Sequence, residues 1–121
     1  MDTAQVIDRF NDVFQRHDPS SLPELVAEDC VMEGIQPAPD GSRYEGHEAC
    51  VAFWAELATD AATSFEVEDV VVTGDRATIR WRYRFGSGPE DNVRGVNLMH
   101  VRDGKIVEAL GYAKTPGPQA A

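Results

Sequence analysis

Asn97 is the residue of this chain best suited by type and setting to act on a bound molecule. It lies in Val96-Asn97-Leu98-Met99, a run that otherwise reads as a strand interior, where apolar or β-branched side chains are usual. A side-chain amide held in a dry cavity can hydrogen-bond a ligand carbonyl or a developing oxyanion, an effect on the order of 3 kcal/mol. Glu33 is the candidate general base. It follows the apolar run Cys30-Val31-Met32, and a carboxylate among apolar neighbours has its pKa raised toward the range useful for proton transfer. Phe10, Phe14, Trp54, Trp81, Tyr83 and Met99 are the candidate ligand-binding side chains, with core packing as their alternative duty.

Other reactive residue types point away from metals and cofactors. His17, His47 and His100 show no ligand spacing, and Cys30 and Cys50 match neither C-x-x-C nor a zinc pattern, so no metal is expected. Both cysteines sit near apolar residues and read as buried free thiols. No Gly-rich phosphate loop occurs, so no cofactor is implied. The formal net charge of −10 repels phosphate backbones and anionic headgroups, which argues against nucleic acid and membrane partners. No basic-then-apolar leader appears, and no apolar run approaches the ~20 residues that span a bilayer, so the cytoplasm is the expected compartment.

The elements that must position these side chains can be read from periodicity. With 121 residues and 42% hydrophobic content, the chain suits one domain, expected over 1–114, with a flexible tail over 115–121. Asp2 to His17 reads as a helix: Val6, Ile7, Phe10, Val13 and Phe14 form an apolar stripe, and Asp2 with Gln5 can make a capping box. Asp18-Pro19 stops it, and Ser21-Leu22-Pro23-Glu24 opens a short helix running to about Ala27. Cys30 to Ile35 reads as a strand, Gln36 to Glu45 as a loop, and Gly46 to Thr59 as a third helix.

From Ser64 the period changes to two. Strands are expected over Phe65 to Val72, Ala77 to Phe85, Val93 to Val101 and Lys105 to Tyr112, with turns at Thr73-Gly74-Asp75 and Asp103-Gly104. Ile79, Trp81, Tyr83 and Phe85 alternate with Thr78, Arg80, Arg82 and Arg84, so one face is apolar and the other cationic. A three-residue turn would set Glu66 opposite Arg82 and Glu68 opposite Arg80 on the outer face. Val96 and Leu98 fall on that outer face too, and apolar side chains among charges suggest a homodimer interface.

In this order of elements, and in VAEDCV at 26–31, YEGHEA at 44–49 and RDGKI at 102–106 within Gly95 to Tyr112, the chain resembles the nuclear-transport-factor-2-like superfamily. That group includes SnoaL-like polyketide cyclases, ketosteroid isomerases and limonene epoxide hydrolases. The resemblance implies an α+β fold, a cone-shaped curved antiparallel sheet wrapped around three N-terminal helices in the order α-α-β-α-β-β-β-β. It also implies a pocket for an apolar cyclic molecule, and a homodimer.

The catalytic sets do not carry over residue by residue. The isomerase tyrosine position holds Phe10, its base position Gly34 and its donor aspartate position Asn97; phenylalanine and glycine cannot transfer a proton. Trp54 falls where those enzymes have a further tyrosine. The epoxide hydrolase Arg–Asp pair meets only Arg80, Arg82 and Arg84, and its last-strand acid meets Gly111. No SnoaL cyclase acid is recognisable. If residue 34 faces the pocket, Glu33 faces away unless a bulge intervenes. The resulting expectation is a SnoaL-like enzyme acting on an apolar cyclic substrate by proton transfer, of isomerase, cyclase or dehydratase type, with Asn97 polarising a carbonyl. The alternative is a non-catalytic small-molecule-binding protein using the same pocket.

Overall fold

The first helix begins with the capping box that Asp2 and Gln5 suggest. The Asp2 carboxylate accepts from the Gln5 N–H at 2.8 Å, and the Gln5 side chain accepts from the Asp2 N–H at 3.0 Å. Helix α1 runs Thr3–Gln15 and buries Val6, Ile7, Phe10, Val13 and Phe14, each worth about 1.5–3 kcal/mol of apolar burial. This computed structural model describes residues 1–114; the expected flexible tail, 115–121, lies outside the described residues.

After α1, Asp18 rather than Ser21 provides the cap, accepting from the Ser20 N–H at 3.0 Å to start a 3-10 turn, Pro19–Ser21. Helix α2 is only Leu22–Leu25, because Val26 is already extended. Strand β1 is Val26–Glu33, beginning earlier than the sequence pattern suggests. Glu28 and Asp29 are both exposed, and the pairing slips between Val26 and Val31, so a bulge hides the period of two. The expected loop contains a short strand, β2, Arg43–Glu45. Helix α3 is His47–Thr59, led in by Gly46 at φ 94°. Strands β3 (Ser64–Thr73), β4 (Arg76–Arg84), β5 (Asn92–Arg102) and β6 (Lys105–Ala113) follow.

The strand order β2-β1-β6-β5-β4-β3 makes one curved, unclosed, mixed sheet, so the α+β class holds. One pairing departs from an antiparallel sheet: β1 runs parallel to β6. The chain between them is long enough to return in either direction, and local periodicity carries no information on which it takes. The helices cover the concave face. At one end of that face Ile7, Leu22, Leu25, Val26, Cys30, Cys50, Met99 and Ile106 are at most 2% exposed. Burial pushes both thiols upward, and Cys50 donates only to backbone carbonyls, so neither is activated. No described helix is long and apolar enough to cross a membrane.

The convex face is charged at its edges. Glu66 lies opposite Arg82 as expected, but its carboxylate binds Arg84 at 2.7 Å. A bulge between Val67 and Asp69 puts Asp69, not Glu68, opposite Arg80, and frees Glu68 to reach Arg94 at 3.1 Å. Between these pairs, Val96 aligns with Tyr112 and Leu98 with Leu110; Leu98 and Tyr112 are exposed.

Candidate functional site

A cavity of about 380 Å³ opens between α1, α3 and the concave face of the sheet, at the end away from the packed core. Its walls are largely rings. Phe10 meets Phe14 and Trp54 edge-on at 5.0 Å, and Phe65 meets Phe14 at 5.6 Å and Trp81 at 5.5 Å. Tyr83 lies against Phe65 at 4.7 Å. The edge contacts set the tilt of these rings relative to one another.

Asn97 borders this cavity from β5. Its Oδ1 accepts from the Trp81 indole N–H at 3.1 Å. An indole N–H can only donate, so this contact orients the amide, and its NH₂ has no hydrogen-bond partner among the described residues. Two glycines make the arrangement possible. A Cβ on Gly95, opposite Trp81, would fall 2.5 Å from the indole Cη2, so the ring needs that glycine. A Cβ on Gly111, opposite Asn97, would lie 3.4 Å from Oδ1 and 3.1 Å from the Glu33 carbonyl.

Glu33 belongs to the cavity's edge, but its carboxylate does not aim into it. It pairs in register with Arg43 and Leu110, and Arg43 Nη1 lies 3.2 Å from its Oε2 on the outer side. The alternation that buries Met32 turns Glu33 outward, with no bulge to reverse it. Gly34 occupies the inward position and offers no side chain. Met99 also differs from expectation: it is 2% exposed, between Ala77 and Ala109, and does not line the cavity. Two residues along a strand is nearly 7 Å, enough to carry it past the cavity floor into the core.

The other expected contacts, Phe10, Phe14, Trp54, Trp81 and Tyr83, all lie on the wall. The histidines are spent elsewhere: His17 on the Ala58 carbonyl at 2.9 Å, His47 on the Pro23 carbonyl at 2.9 Å, and His100 on Asp75 at 2.9 Å. Sequence reasoning missed Asn11, Gln36 and Ser42, which supply polar groups to the lining. Asn11 was findable: it lies four residues after Ile7 and three before Phe14, on the border of the apolar stripe. Gln36 and Ser42 were not, because they come from a loop whose path depends on β2.

Among the described residues, the lining therefore holds one carboxylate, turned outward, and no imidazole. The walls can position a ring and donate to an acceptor.

A family model described as a SnoaL-like domain matches residues 7–109. A solved NTF2-like protein of unknown function from Mesorhizobium loti is 58% identical, covering 93% of this chain and 91% of its own, with a TM-score of 0.89. A protein from Sinorhizobium meliloti, provisionally named a polyketide cyclase, is 24% identical over 88% of this chain and 93% of its own, with a TM-score of 0.72. One from Kribbella flavida, provisionally named a ketosteroid isomerase, is 15% identical over 98% and 82%, with a TM-score of 0.79. At those identities the last two speak for the fold alone. No curated protein matches the chain.

Proposed function

The chain belongs to the SnoaL-like domain family, and on that premise we propose that its cavity binds an uncharged, mainly apolar cyclic molecule through a carbonyl oxygen held by Asn97. The observation that carries this reading is the Trp81–Asn97 hydrogen bond, which satisfies the amide oxygen and leaves the NH₂ as donor. A cavity of about 380 Å³ accommodates a fused two- or three-ring compound. Aromatic walls favour flat, apolar rings, and the absence of an inward charge gives no reward for an ionised ligand.

Binding without proton transfer by the protein is the better supported account. The expected isomerase, cyclase or dehydratase chemistry requires a base within hydrogen-bonding reach of the substrate, about 2.6–3.2 Å or through one water. Glu33 is the lining's one carboxylate, and Arg43 holds it on the other side of the strand. The enzyme reading survives only through that residue, whose backbone borders the cavity. The deciding experiment is calorimetric titration with cyclic ketones, combined with NMR detection of deuterium exchange at the carbon beside the carbonyl. Saturable binding without catalysed exchange fits the binding reading. Exchange that Glu33→Gln abolishes would instead establish a proton-transfer enzyme.

A second copy of the chain is the partner that suits the convex face. Val96, Leu98, Leu110 and Tyr112 form an apolar centre flanked by Arg80, Arg94 and acidic partners, a pattern able to pair with itself about a two-fold axis. Sedimentation should give a dimer, and Leu98→Glu a monomer that keeps its fold. A monomeric wild type would remove this part of the reading.

A further inference from the structure

We infer that the ligand of this protein is longer than its cavity, and that its far end is an uncharged ring lying on an aromatic ledge made by Tyr83 and Phe85. The ledge is a second subsite, outside the cavity and continuous with its wall. The inference rests on the small-molecule-binding reading above and adds a requirement on the ligand's length.

The run of rings does not stop where the cavity does. Phe65, opposite Tyr83 on β3, lies 5.5 Å from the Trp81 ring and 4.7 Å from the Tyr83 ring. Tyr83 in turn lies 6.1 Å from Phe85, with the two rings tilted by 41°. Trp81, Phe65 and Tyr83 line the cavity, whereas Phe85 does not and is 48% exposed. The run thus starts at the indole that holds Asn97 and ends one residue beyond β4, on the side away from the packed core. Val93, level with Tyr83 on β5, adds an aliphatic floor beside it.

A single exposed apolar side chain is ordinary, but Phe85 is neither isolated nor loosely held. Its N–H donates to the Asp91 carbonyl at 3.0 Å, and Asp91 ties the turn between them. The Asp91 N–H donates to the Gly88 carbonyl, and its carboxylate accepts from the Gly88 N–H, both at 3.1 Å. A Cβ on Gly86 would fall 2.5 Å from that carboxylate, which measures how closely the turn folds around it. The backbone under Phe85 is anchored while its ring stays open. Arg84, between the two ledge residues in sequence, is engaged by Glu66 at 2.7 Å on the opposite face, so the ledge itself presents apolar surface. Trp81 and Phe85 stand four residues apart, roughly 13 Å of strand. A two-ring compound beside Asn97 ends short of Phe85, and one more ring along the same axis reaches it. That ring leaves water and gains aromatic edge or face contacts.

The test compares 1-tetralone with 6-phenyl-1-tetralone, which carries one more ring on the side away from its carbonyl, by calorimetric titration into the full chain. The phenyl compound should bind about tenfold more tightly. Phe85→Ala should remove most of that gain, bringing the phenyl compound close to 1-tetralone. Val71→Ala, which trims an equally exposed apolar side chain on the convex face, should keep the gain in full. In a sample with ¹³C-labelled phenylalanine, the Phe85 ring signal, assigned by its loss in Phe85→Ala, should shift with the phenyl compound and not with 1-tetralone. Equal affinity for the two probes would overturn the ledge while leaving the binding reading intact. So would a gain that survives Phe85→Ala, or a Phe85→Ala variant that weakens both probes alike. Failure of both probes to bind would bring down the binding reading and this inference with it.

Discussion

Met99 and Asn97 stand two residues apart on β5 and face the same side of the sheet, yet Met99 is sealed at 2% exposure and Asn97 borders a cavity of about 380 Å³. The two ends of the concave face are built from different materials. At the Met99 end the fillers are aliphatic and mid-sized: Ile7, Leu22, Leu25, Val26 and Ile106 belong to the same buried cluster, each at most 1% exposed. Around Asn97 the fillers are rings held edge to edge, and the lining carries Gly34 and Gly111, which project no side chain into the cavity. One end therefore supplies stability, and the other keeps a volume open.

That contrast can be broken most directly by truncation at both ends. Ile106→Ala should cost about 2–5 kcal/mol, the usual range for emptying a tight core, whereas Leu57→Ala on the cavity wall should cost about 1 kcal/mol or less. Urea denaturation of the two variants checks this, and equal losses would mean the cavity end is as tightly loaded as the core. Gly95→Ala tests whether the glycine exists to seat Trp81. The added Cβ meets both the indole and the Tyr112 carbonyl at 2.5 Å, which should cost roughly 1–3 kcal/mol, and where the indole is the group that yields, ketone binding falls with it, since a displaced indole no longer orients Asn97.

Two substitutions at Asn97 sharpen the comparison further. Asn97→Leu leaves the Trp81 N–H without its acceptor and should destabilise by about 1–3 kcal/mol despite being more apolar. Asn97→Asp keeps that acceptor but places a carboxyl against an apolar cavity, which raises its pKa above the unfolded value. Stability of this variant should be fullest in acid and fall as pH rises through the raised pKa, a slope that wild type lacks. A flat difference between variant and wild type from acid to neutral pH would show that residue 97 is solvated.

The smallest effect belongs to the convex face. Hydrogen bonds from Arg102 and Arg84 hold the Asp29 and Glu66 carboxyls below their ordinary values of 3.8 and 4.5. The folded pKa is the lower one in each case, so the stabilisation is present above the ordinary values and is lost as pH falls below them. All of these groups are exposed, and solvent screens the pairs, so Asp29→Asn should shift the acid unfolding midpoint only slightly. A large shift would mean the pair is far better ordered than a surface contact.

Much of the architecture was legible along the chain. The apolar stripe of α1, its Asp2–Gln5 capping box, the Asp103-Gly104 turn and the alternating faces of β4 all depend on neighbours within a few residues, and spacing reports these. The side on which Glu33 lies also followed from alternation alone. Met99 was misjudged by the same rule, because alternation tells which face a side chain takes and not how far along that face the cavity extends.

What periodicity could not decide were relations between segments distant in sequence. The parallel pairing of β1 with β6, the short β2, and the bulge that sends Glu68 to Arg94 each depend on which strand lies alongside. The site depends on the same kind of information. Asn97 could be singled out as a polar residue in an apolar strand, but the orientation of its amide comes from Trp81, sixteen positions away and adjacent only across the β4–β5 pairing. Local spacing reflects the geometry of a single helix or strand, whereas hydrogen-bond satisfaction is a property of the assembled layers. The types and faces of the longer, regular elements were therefore settled by the sequence, and the edge strand, the bulges and the chemistry of the cavity by the tertiary fold.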